Sequence, residues 1–198
     1  ERLPLNAQLL AKNWNIGLKA APLTLQRTTQ RGVRSVLHPS LSRRFRTNDR
    51  QLRYRRLPID LFTDTMFSKT ISRRKNTCAQ VFCARNCWKR VFPIESKGKA
   101  HEALSLLFAR DGVPTAIISD GAREQAMGEF RKKAREADCY MKTIEPYSPW
   151  AKAAEGAIRE LKRGAGRKMA RTGSPKRLWD DCLELEAYIQ SNTVNGTA

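Results

Sequence analysis

Apolar residues along positions 58–198 fall into short runs and longer stripes, an alternation that is typical of an α/β fold. Five runs rich in β-branched, aromatic or other apolar residues predict strands. They cover residues 59–67, 78–83, 91–94, 115–119 and 139–144. The fourth run follows Pro114 and is mostly apolar, which favours a strand buried on both faces of a sheet.

Four stretches with apolar residues three and four positions apart predict helices between and after these strands. Their predicted buried positions are Ala100, Ala103, Leu104, Leu107 and Phe108; Met127, Phe130, Ala134 and Ala137; Ala154, Ile158, Leu161, Ala165 and Met169; and Leu178, Cys182, Leu185 and Ile189. Ser174 is the predicted N-cap of the last helix and Pro175 its first residue. That helix is predicted to turn its acids outward, at Asp180, Asp181, Glu184 and Glu186.

Residues 7–34 predict two short helices joined by a turn at residues 15–17. Because proline is tolerated only in the first turn of a helix, Pro22 requires the second helix to begin near Ala21. This helix is expected to run to about Gln30 and to stop at Gly32. The outline is that of a helix-turn-helix, which also occurs in helix pairs that do not bind DNA.

The formal net charge of the chain is +19, and it is concentrated near the N-terminus. Residues 1–57 contain 13 lysines and arginines against two acids. Such an excess indicates a polyanionic partner, with nucleic acid as the first candidate and an anionic membrane surface as the second. No apolar run approaches the length of a membrane span, so no membrane insertion is predicted.

Seven arginines lie within fourteen residues of this segment, and Phe45 and Tyr54 lie among them. They are Arg43, Arg44, Arg46, Arg50, Arg53, Arg55 and Arg56. Arginine binds phosphates through paired hydrogen bonds, and aromatic rings stack on bases. We therefore predict a DNA-binding arm, with a solvated linker or a nuclear-import signal as the alternative.

The five cysteines form no Cys-x-x-Cys pair, and the chain has only two histidines. This set does not predict a zinc site. Three of the cysteines fall in predicted strands or at their ends, which favours reduced thiols in the core. Reduced thiols are typical of a cytosolic or nuclear protein.

Three acids stand at positions where a metal site could form. Asp64 lies within the first predicted strand, Asp120 ends the fourth, and Glu155 falls in the first turn of the third core helix. An acid at a strand end and an acid at a helix start can converge on a pair of metal ions. Asp60, four residues before Asp64 on the same strand face, is an equal candidate by residue pattern alone.

The sequences around these acids resemble those of a known family. The motifs Phe-Thr-Asp-Thr-Met at 62–66 and Ile-Ser-Asp-Gly-Ala-Arg-Glu at 118–124, followed by Glu155, resemble the D,D-35-E signature of retroviral-type integrase cores. The copia-like LTR retrotransposons are the most similar variety. Between Asp120 and Glu155 lie 34 residues, one fewer than the usual 35.

The resemblance implies an RNase H-like fold, in which a mixed five-stranded sheet is flanked by helices. It assigns residues 58–198 to this catalytic core and leaves residues 1–57 as a small helical and basic DNA-binding segment. It also selects Asp64 over Asp60 and makes Asp64, Asp120 and Glu155 (the acidic triad) the catalytic residues and metal ligands. The implied cofactor is Mg²⁺ or Mn²⁺, with two ions and no zinc, and hard ions of this kind prefer carboxylate oxygens.

The implied activity is 3′-end processing of element DNA and its strand transfer into target DNA. The implied partners are double-stranded DNA, at element ends and target, and further copies of the chain. Arg159 and Lys162 match two family DNA contacts by their offsets from the final acid, and Lys152 lies in the loop that touches the DNA end. The protein is expected in the nucleus or in a cytoplasmic particle, released from a larger polyprotein.

The chain departs from the family pattern at two loops. Asp120-Gly121-Ala122 replaces the usual Asp-Asn-Gly, and Ala151-Lys152-Ala153 replaces the usual Gln-Asn-Gly. The second change predicts weaker strand transfer and leaves metal binding intact. Two alternatives stay open: an RNase H-type nuclease that recruits Glu102, and a catalytically dead DNA-binding remnant of a transposable element.

Overall fold

Five strands form one mixed sheet in the order β3-β2-β1-β4-β5. The strands are β1 (Arg56–Phe67), β2 (Cys78–Cys83), β3 (Lys89–Ile94), β4 (Val113–Ser119) and β5 (Tyr140–Thr143). The first three strands pair antiparallel, whereas β4 runs parallel to β1 and β5 parallel to β4. The computed structural model describes residues 6–27, 54–85, 88–119, 128–143 and 151–193, without the side chains of 151 and 152.

Helices cover both faces of this sheet. Successive side chains of a strand point to opposite faces, and Leu61 and Phe62 of β1 accordingly belong to different clusters. On the Leu61 side lie α3 (Ala100–Arg110) and α4 (Glu129–Glu136). On the Phe62 side lie α5 (Ala151–Thr172) and α6 (Trp179–Asn192). The core is therefore three layers deep, with the sheet in the middle.

The predicted α/β fold with a mixed five-stranded sheet is confirmed, and β2 has the predicted bounds. Three strands begin earlier than predicted. Strands β1 and β4 do so because the parallel ladder pairs Arg56 with Val113 and Leu57 with Pro114, and β3 does so because Lys89 pairs with Cys83 of β2. Gly112, just before β4, has a φ of +125°, and a Cβ there would collide with the carbonyl of Arg55. Glycine is thus required where the two strand starts approach each other.

The predicted orientation of the last helix is wrong at three positions, whereas Ile189 is buried and Asp181 is exposed, as predicted. Asp180 and Glu186 of α6 are buried, whereas Leu185 is 50% exposed. The two acids are buried because they have partners from distant parts of the chain, Arg74 and Asn76 for Asp180 and Lys168 for Glu186.

The predicted start of that helix is also wrong. A 3₁₀ turn, Lys176–Leu178, precedes α6, and no side chain caps this turn. The hydroxyl of Ser174 instead lies 2.6 Å from that of Thr172. Helix α6 begins at Trp179, whose indole N–H donates to the carbonyl of Thr70 at 2.8 Å.

The chain divides into two compact units, residues 47–191 and residues 1–46 with 192–198. The second unit contains α1 (Ala7–Trp14) and α2 (Ala20–Arg27). Asn6 caps α1 by accepting from the Leu9 amide at 2.7 Å, and Asn15 ends it in the left-handed conformation. The predicted helix pair is confirmed, with Pro22 in the first turn of α2. The predicted end of the second helix, at Gln30 to Gly32, lies outside the described residues, and the predicted domain boundary at residue 57 stays a prediction.

No helix in the described part of the chain is long and apolar enough to span a membrane.

Candidate active site and nucleic-acid surface

Asp64 lies in the part of β1 that pairs with β2, directly opposite Val81. Its side chain is half-buried, and its Oδ1 accepts a hydrogen bond from the amide of Thr65 at 2.6 Å. Phe62 and Met66, two residues to either side, contact the layer of α5 and α6. By the alternation of the strand, Asp64 therefore faces the helix that carries Glu155.

One small apolar cluster joins the strand of Asp64, the helix of Glu155 and the strand that ends one residue before Asp120. It consists of Phe62, Cys83, Ala154 and Ala157, with Ile118 packed against it. Phe62 precedes Asp64 by two residues on β1, Ile118 precedes Asp120 by two, and Ala154 is the neighbour of Glu155. The cluster thus holds β1, β4 and the first turns of α5 together at the predicted site.

Glu155 is exposed on α5, between the buried Ala154 and Ala157. Asp120 follows the last residue of β4 in sequence and lies outside the described residues. Two members of the triad are thus placed on elements that pack together, and the third stays a prediction.

Asp64 and Glu155 both offer carboxylate oxygens, and these are the ligands that hard divalent cations prefer. Among the described residues, no group of three or more histidines, cysteines, aspartates or glutamates could hold a metal ion. The predicted metal site has three ligands, so it would also need Asp120.

Asp60, the alternative to Asp64, is engaged elsewhere. Its Oδ2 lies 3.5 Å from Nζ of Lys142 on β5, and both side chains are about half exposed. An exposed ion pair of this kind is weak. It does not decide between the two acids, so the preference for Asp64 stays a prediction.

A buried polar network on β1 and β2 was not predicted. The hydroxyl of Thr65 donates to Gln80 Oε1 at 2.7 Å, and Gln80 Nε2 donates to the hydroxyl of Thr63 at 2.6 Å. Thr63 in turn donates to the carbonyl of Val81 at 2.9 Å. These bonds fix the residues on both sides of Asp64. The sequence signal was Gln80, a fully buried amide within the apolar run of β2.

Cys83 is the thiol of the apolar cluster. Burial, and to a smaller extent the nearby charge of Asp64, raise its pKa to about 11, although Lys89 opposes the shift. Its Sγ lies 4.0 Å from the carbonyl of Ala153, at the start of α5. Burial likewise raises the pKa of Cys139 to about 12. The prediction of reduced, buried core thiols is confirmed for these two residues and for Cys78.

The predicted DNA-binding residues fall into three groups. Arg159 and Lys162 are exposed on α5. Six of the predicted residues lie outside the part of the chain that the structure describes. They are the side chain of Lys152 and, in the basic arm, Arg43, Arg44, Arg46, Arg50 and Arg53. Arg55 is exposed beside the first strand, but the guanidinium of Arg56 is already bound to the carbonyl of Ala137 at 2.8 Å and to Asp138 at 3.0 Å.

The fold is that of the RNase H-like catalytic cores of retroviral integrases. The HTLV-2 integrase catalytic core domain in complex with magnesium, in a trimeric form, superimposes with a TM-score of 0.54 at 13% identity, covering 67% of this chain and 84% of that one. A chain of the simian T-cell lymphotropic virus intasome in complex with PP2A regulatory subunit B56 gamma gives a TM-score of 0.51 at 16% identity, over 69% of this chain.

The present chain spans about half (50%) of the length of that intasome chain. No protein-family model and no curated protein matches the sequence. The comparisons therefore define an integrase-like core by its fold.

Proposed function

We propose that the chain is the catalytic core of a retrotransposon integrase of the copia-like type, which trims the 3′ ends of element DNA and joins them to target DNA. The observation that carries this proposal is the cluster of Phe62, Cys83, Ala154, Ala157 and Ile118. It draws together the strand that carries Asp64, the helix that carries Glu155 and the strand that ends one residue before Asp120.

The acidic triad would hold Mg²⁺, or Mn²⁺, as a pair of ions. When bound, such ions activate the attacking water or hydroxyl and stabilise the leaving oxygen. The chain's own contribution is to orient the ligands. The Thr65 amide holds one oxygen of Asp64, and the Gln80 network fixes β1 on either side of it. No lysine or histidine base is needed at this site.

The proposed partners are double-stranded DNA and further copies of the chain. The net charge of +19 supports a polyanionic partner. The HTLV-2 core that shares this fold was determined with magnesium and in a trimeric form, and the simian virus chain belongs to an intasome. The proposed place of action is the nucleus or a cytoplasmic particle that carries the element DNA.

The proposal is tested with Asp64→Asn and Glu155→Gln in Mg²⁺-dependent 3′-processing and strand-transfer assays. Both changes keep side-chain size and remove a metal ligand, so we expect product to fall below detection. DNA binding should be kept or slightly strengthened, because a negative charge is removed. Asp60→Asn is the matched control and should retain activity, because the resemblance gives Asp60 no role as a metal ligand.

Full activity of either triad variant would overturn the assignment of these residues. Cleavage of RNA–DNA hybrids without strand transfer by the unaltered protein would instead favour an RNase H-type nuclease. DNA binding without any metal-dependent nicking would identify a catalytically dead remnant.

A further inference from the structure

The connection between α5 and α6 carries a short motif that the proposed activity does not use. Its sequence is Ser-Pro-Lys-Arg at residues 174–177, a serine followed by a proline and, three positions after the serine, by an arginine. The chain contains one other Ser-Pro pair, at residues 148–149, and there Ala151 stands in place of the arginine. The pair at residue 174 therefore differs from the other by its downstream cation.

This motif lies on the surface of the protein. Residues 171–173 and 175–177 are exposed, and Ser174 is half-buried. Pro175 is extended, with a φ of −58° and a ψ of 142°, which is close to the polyproline II conformation. The hydroxyl of Ser174 lies 2.6 Å from that of Thr172, which is itself exposed. A second protein can therefore reach the Ser174 hydroxyl without opening the core.

The turn that follows Pro175 is short. Residues Lys176–Leu178 form a 3₁₀ turn that no side chain caps, and such turns have poorer hydrogen-bond geometry than an α-helix. The carbonyl of Arg177 accepts from the Arg73 amide at 2.8 Å, a bond that engages the backbone and not the guanidinium. Among the described residues, neither Lys176 nor Arg177 pairs with an acid. Both cations are thus available to an acidic surface of a partner.

A serine in this setting has the features of a substrate for a proline-directed serine/threonine kinase. Proline has no N–H. A kinase pocket without an acceptor at the position after the serine therefore admits proline and rejects other residues, because their amides would lose a hydrogen bond. The downstream arginine can pair with acids of the kinase, and charge patterns of this kind select kinase substrates.

We propose that Ser174 is a phosphorylation site for a kinase of this class. In the transfer, Ser174 Oγ attacks the γ-phosphorus of ATP, an aspartate of the kinase accepts the hydroxyl proton, and the bond to the β-phosphate oxygen breaks as ADP leaves. The phosphoserine carries about −1.5 to −2 charges at neutral pH. It neutralises the positive charge of Lys176 and Arg177, which follow it directly. The proposal goes beyond the proposed function and does not depend on it.

The experiment incubates the full chain with Mg²⁺-ATP and a purified cyclin-dependent kinase, which is proline-directed, in the absence of DNA. Mass spectrometry of proteolytic peptides locates the phosphate. Ser174→Ala removes the acceptor, Pro175→Ala keeps the acceptor but restores an amide after it, and Arg177→Gln removes the cation. Ser174→Thr and Arg177→Lys are the conservative controls, and thermal melts check that every variant folds.

We expect phosphate on Ser174 of the unaltered chain and none at this position in Ser174→Ala or Pro175→Ala. Arg177→Gln should slow the transfer at least about tenfold, the equivalent of one charge-assisted hydrogen bond. Arg177→Lys should keep most of the rate, and Ser174→Thr should still be modified. Ser148, which lacks the downstream cation, should be modified more slowly than Ser174.

Two results would overturn the proposal. The first is a folded chain in which Ser174 stays unmodified. If a free peptide of residues 168–180 is modified under the same conditions, this result means that the fold shields the serine. The second is phosphorylation of Ser174 that survives Pro175→Ala, because the kinase would then select the cations alone and the proline would have no role.

Discussion

Asp180 is a fully buried carboxylate, held at the start of α6 by the turn between β1 and β2. Asn76 Nδ2 donates to its Oδ2 at 2.9 Å, and Arg74 Nε donates to the same oxygen at 3.0 Å. Burial alone would raise the pKa of Asp180, but hydrogen bonds from Asn76 and Ser72 and the charge of Arg74 outweigh burial and lower it. The ionised acid therefore ties α6 to the sheet.

Replacing Asp180 with Ala should lower the free energy of unfolding by about 2–4 kcal/mol, because Asn76 and part of Arg74 lose a buried acceptor. Asp181→Ala is the matched control. That side chain also pairs with Arg74, at 3.1 Å, but it is 51% exposed, so its removal should cost less than about 1 kcal/mol. Urea unfolding at neutral pH measures the loss of stability in both variants. Equal losses would contradict the role given to Asp180.

The same pair of variants has a defined pH dependence. The pKa of Asp180 is lower in the folded state than the value of about 3.9 in an unfolded chain, so its contribution is complete above that pH. It is lost as the pH falls through the folded pKa. The difference in free energy of unfolding between the unaltered protein and Asp180→Ala should therefore disappear as the pH is lowered into the acid range.

The sequence pattern predicted most of the buried apolar residues but not the buried charged ones, and the reason is physical. Periodicity treats an acid as a solvent-facing residue, because an unpaired buried charge is costly. Asp180 is buried only because Arg74 and Asn76, about a hundred positions away, provide partners. The choice of Asp64 over Asp60 similarly came from the family resemblance, since both fall on one face of the strand.

Helix α5 and helix α6 are joined by a buried ion pair between Lys168 and Glu186. Gln190 Nε2 also donates to Glu186, at 2.6 Å, so both carboxylate oxygens are engaged. Gly164 on α5 is what makes room for this carboxylate. A Cβ at that position would overlap the carboxylate and Cγ of Glu186.

Gly164 and Gly166, two of the three glycines of α5, therefore predict opposite effects of the same substitution. Gly164→Ala should destabilise the protein by about 1–3 kcal/mol, because it displaces a fixed and buried carboxylate. Gly166→Ala should stabilise it by about 0.5–1 kcal/mol, because alanine favours the helix and nothing obstructs the added methyl group. Urea unfolding of both variants is the measurement, and equal signs would contradict the assigned packing.

Elements buried on both faces were the ones that sequence predicted best. Strand β2 is buried along its whole length, so its apolar run coincides with the strand. The start of β1 is half-exposed and was missed, because its strand conformation comes from pairing with β4. The mixed five-stranded sheet was predicted from the family resemblance, since periodicity does not specify which strands pair or in which direction.

At the scale of the whole molecule, charge and structure divide the chain at different points. The compact unit that holds the sheet begins at Thr47, whereas the excess of positive charge extends to Arg56. The last arginines of the basic segment therefore also serve the fold. The carbonyl of Arg55 accepts from the Val113 amide at 2.7 Å, and Tyr54 packs with its ring centroid 6.1 Å from that of Phe108.

Two truncations distinguish these roles. Removing residues 1–46 deletes nine lysines and arginines but leaves the sheet unit intact, so its urea midpoint should stay unchanged. Removing residues 1–57 also deletes the first two residues of β1 and the partners of Val113, Phe108 and Asp138. It should therefore lower the free energy of unfolding by at least about 2 kcal/mol.

Both truncations should weaken binding to DNA of any sequence and flatten its salt dependence, by about 0.9 for each phosphate that the deleted residues would bind. Full-length Arg43→Gln/Arg44→Gln/Arg46→Gln is the control for charge, because it removes cations without shortening the chain. If the shorter deletion keeps the salt slope of the full chain, the basic arm does not contact DNA. If it unfolds the sheet unit, residues 1–46 are part of the fold. Stability that survives the shorter deletion and is lost in the longer one would place the N-terminal boundary of the folded sheet unit between Arg46 and Pro58.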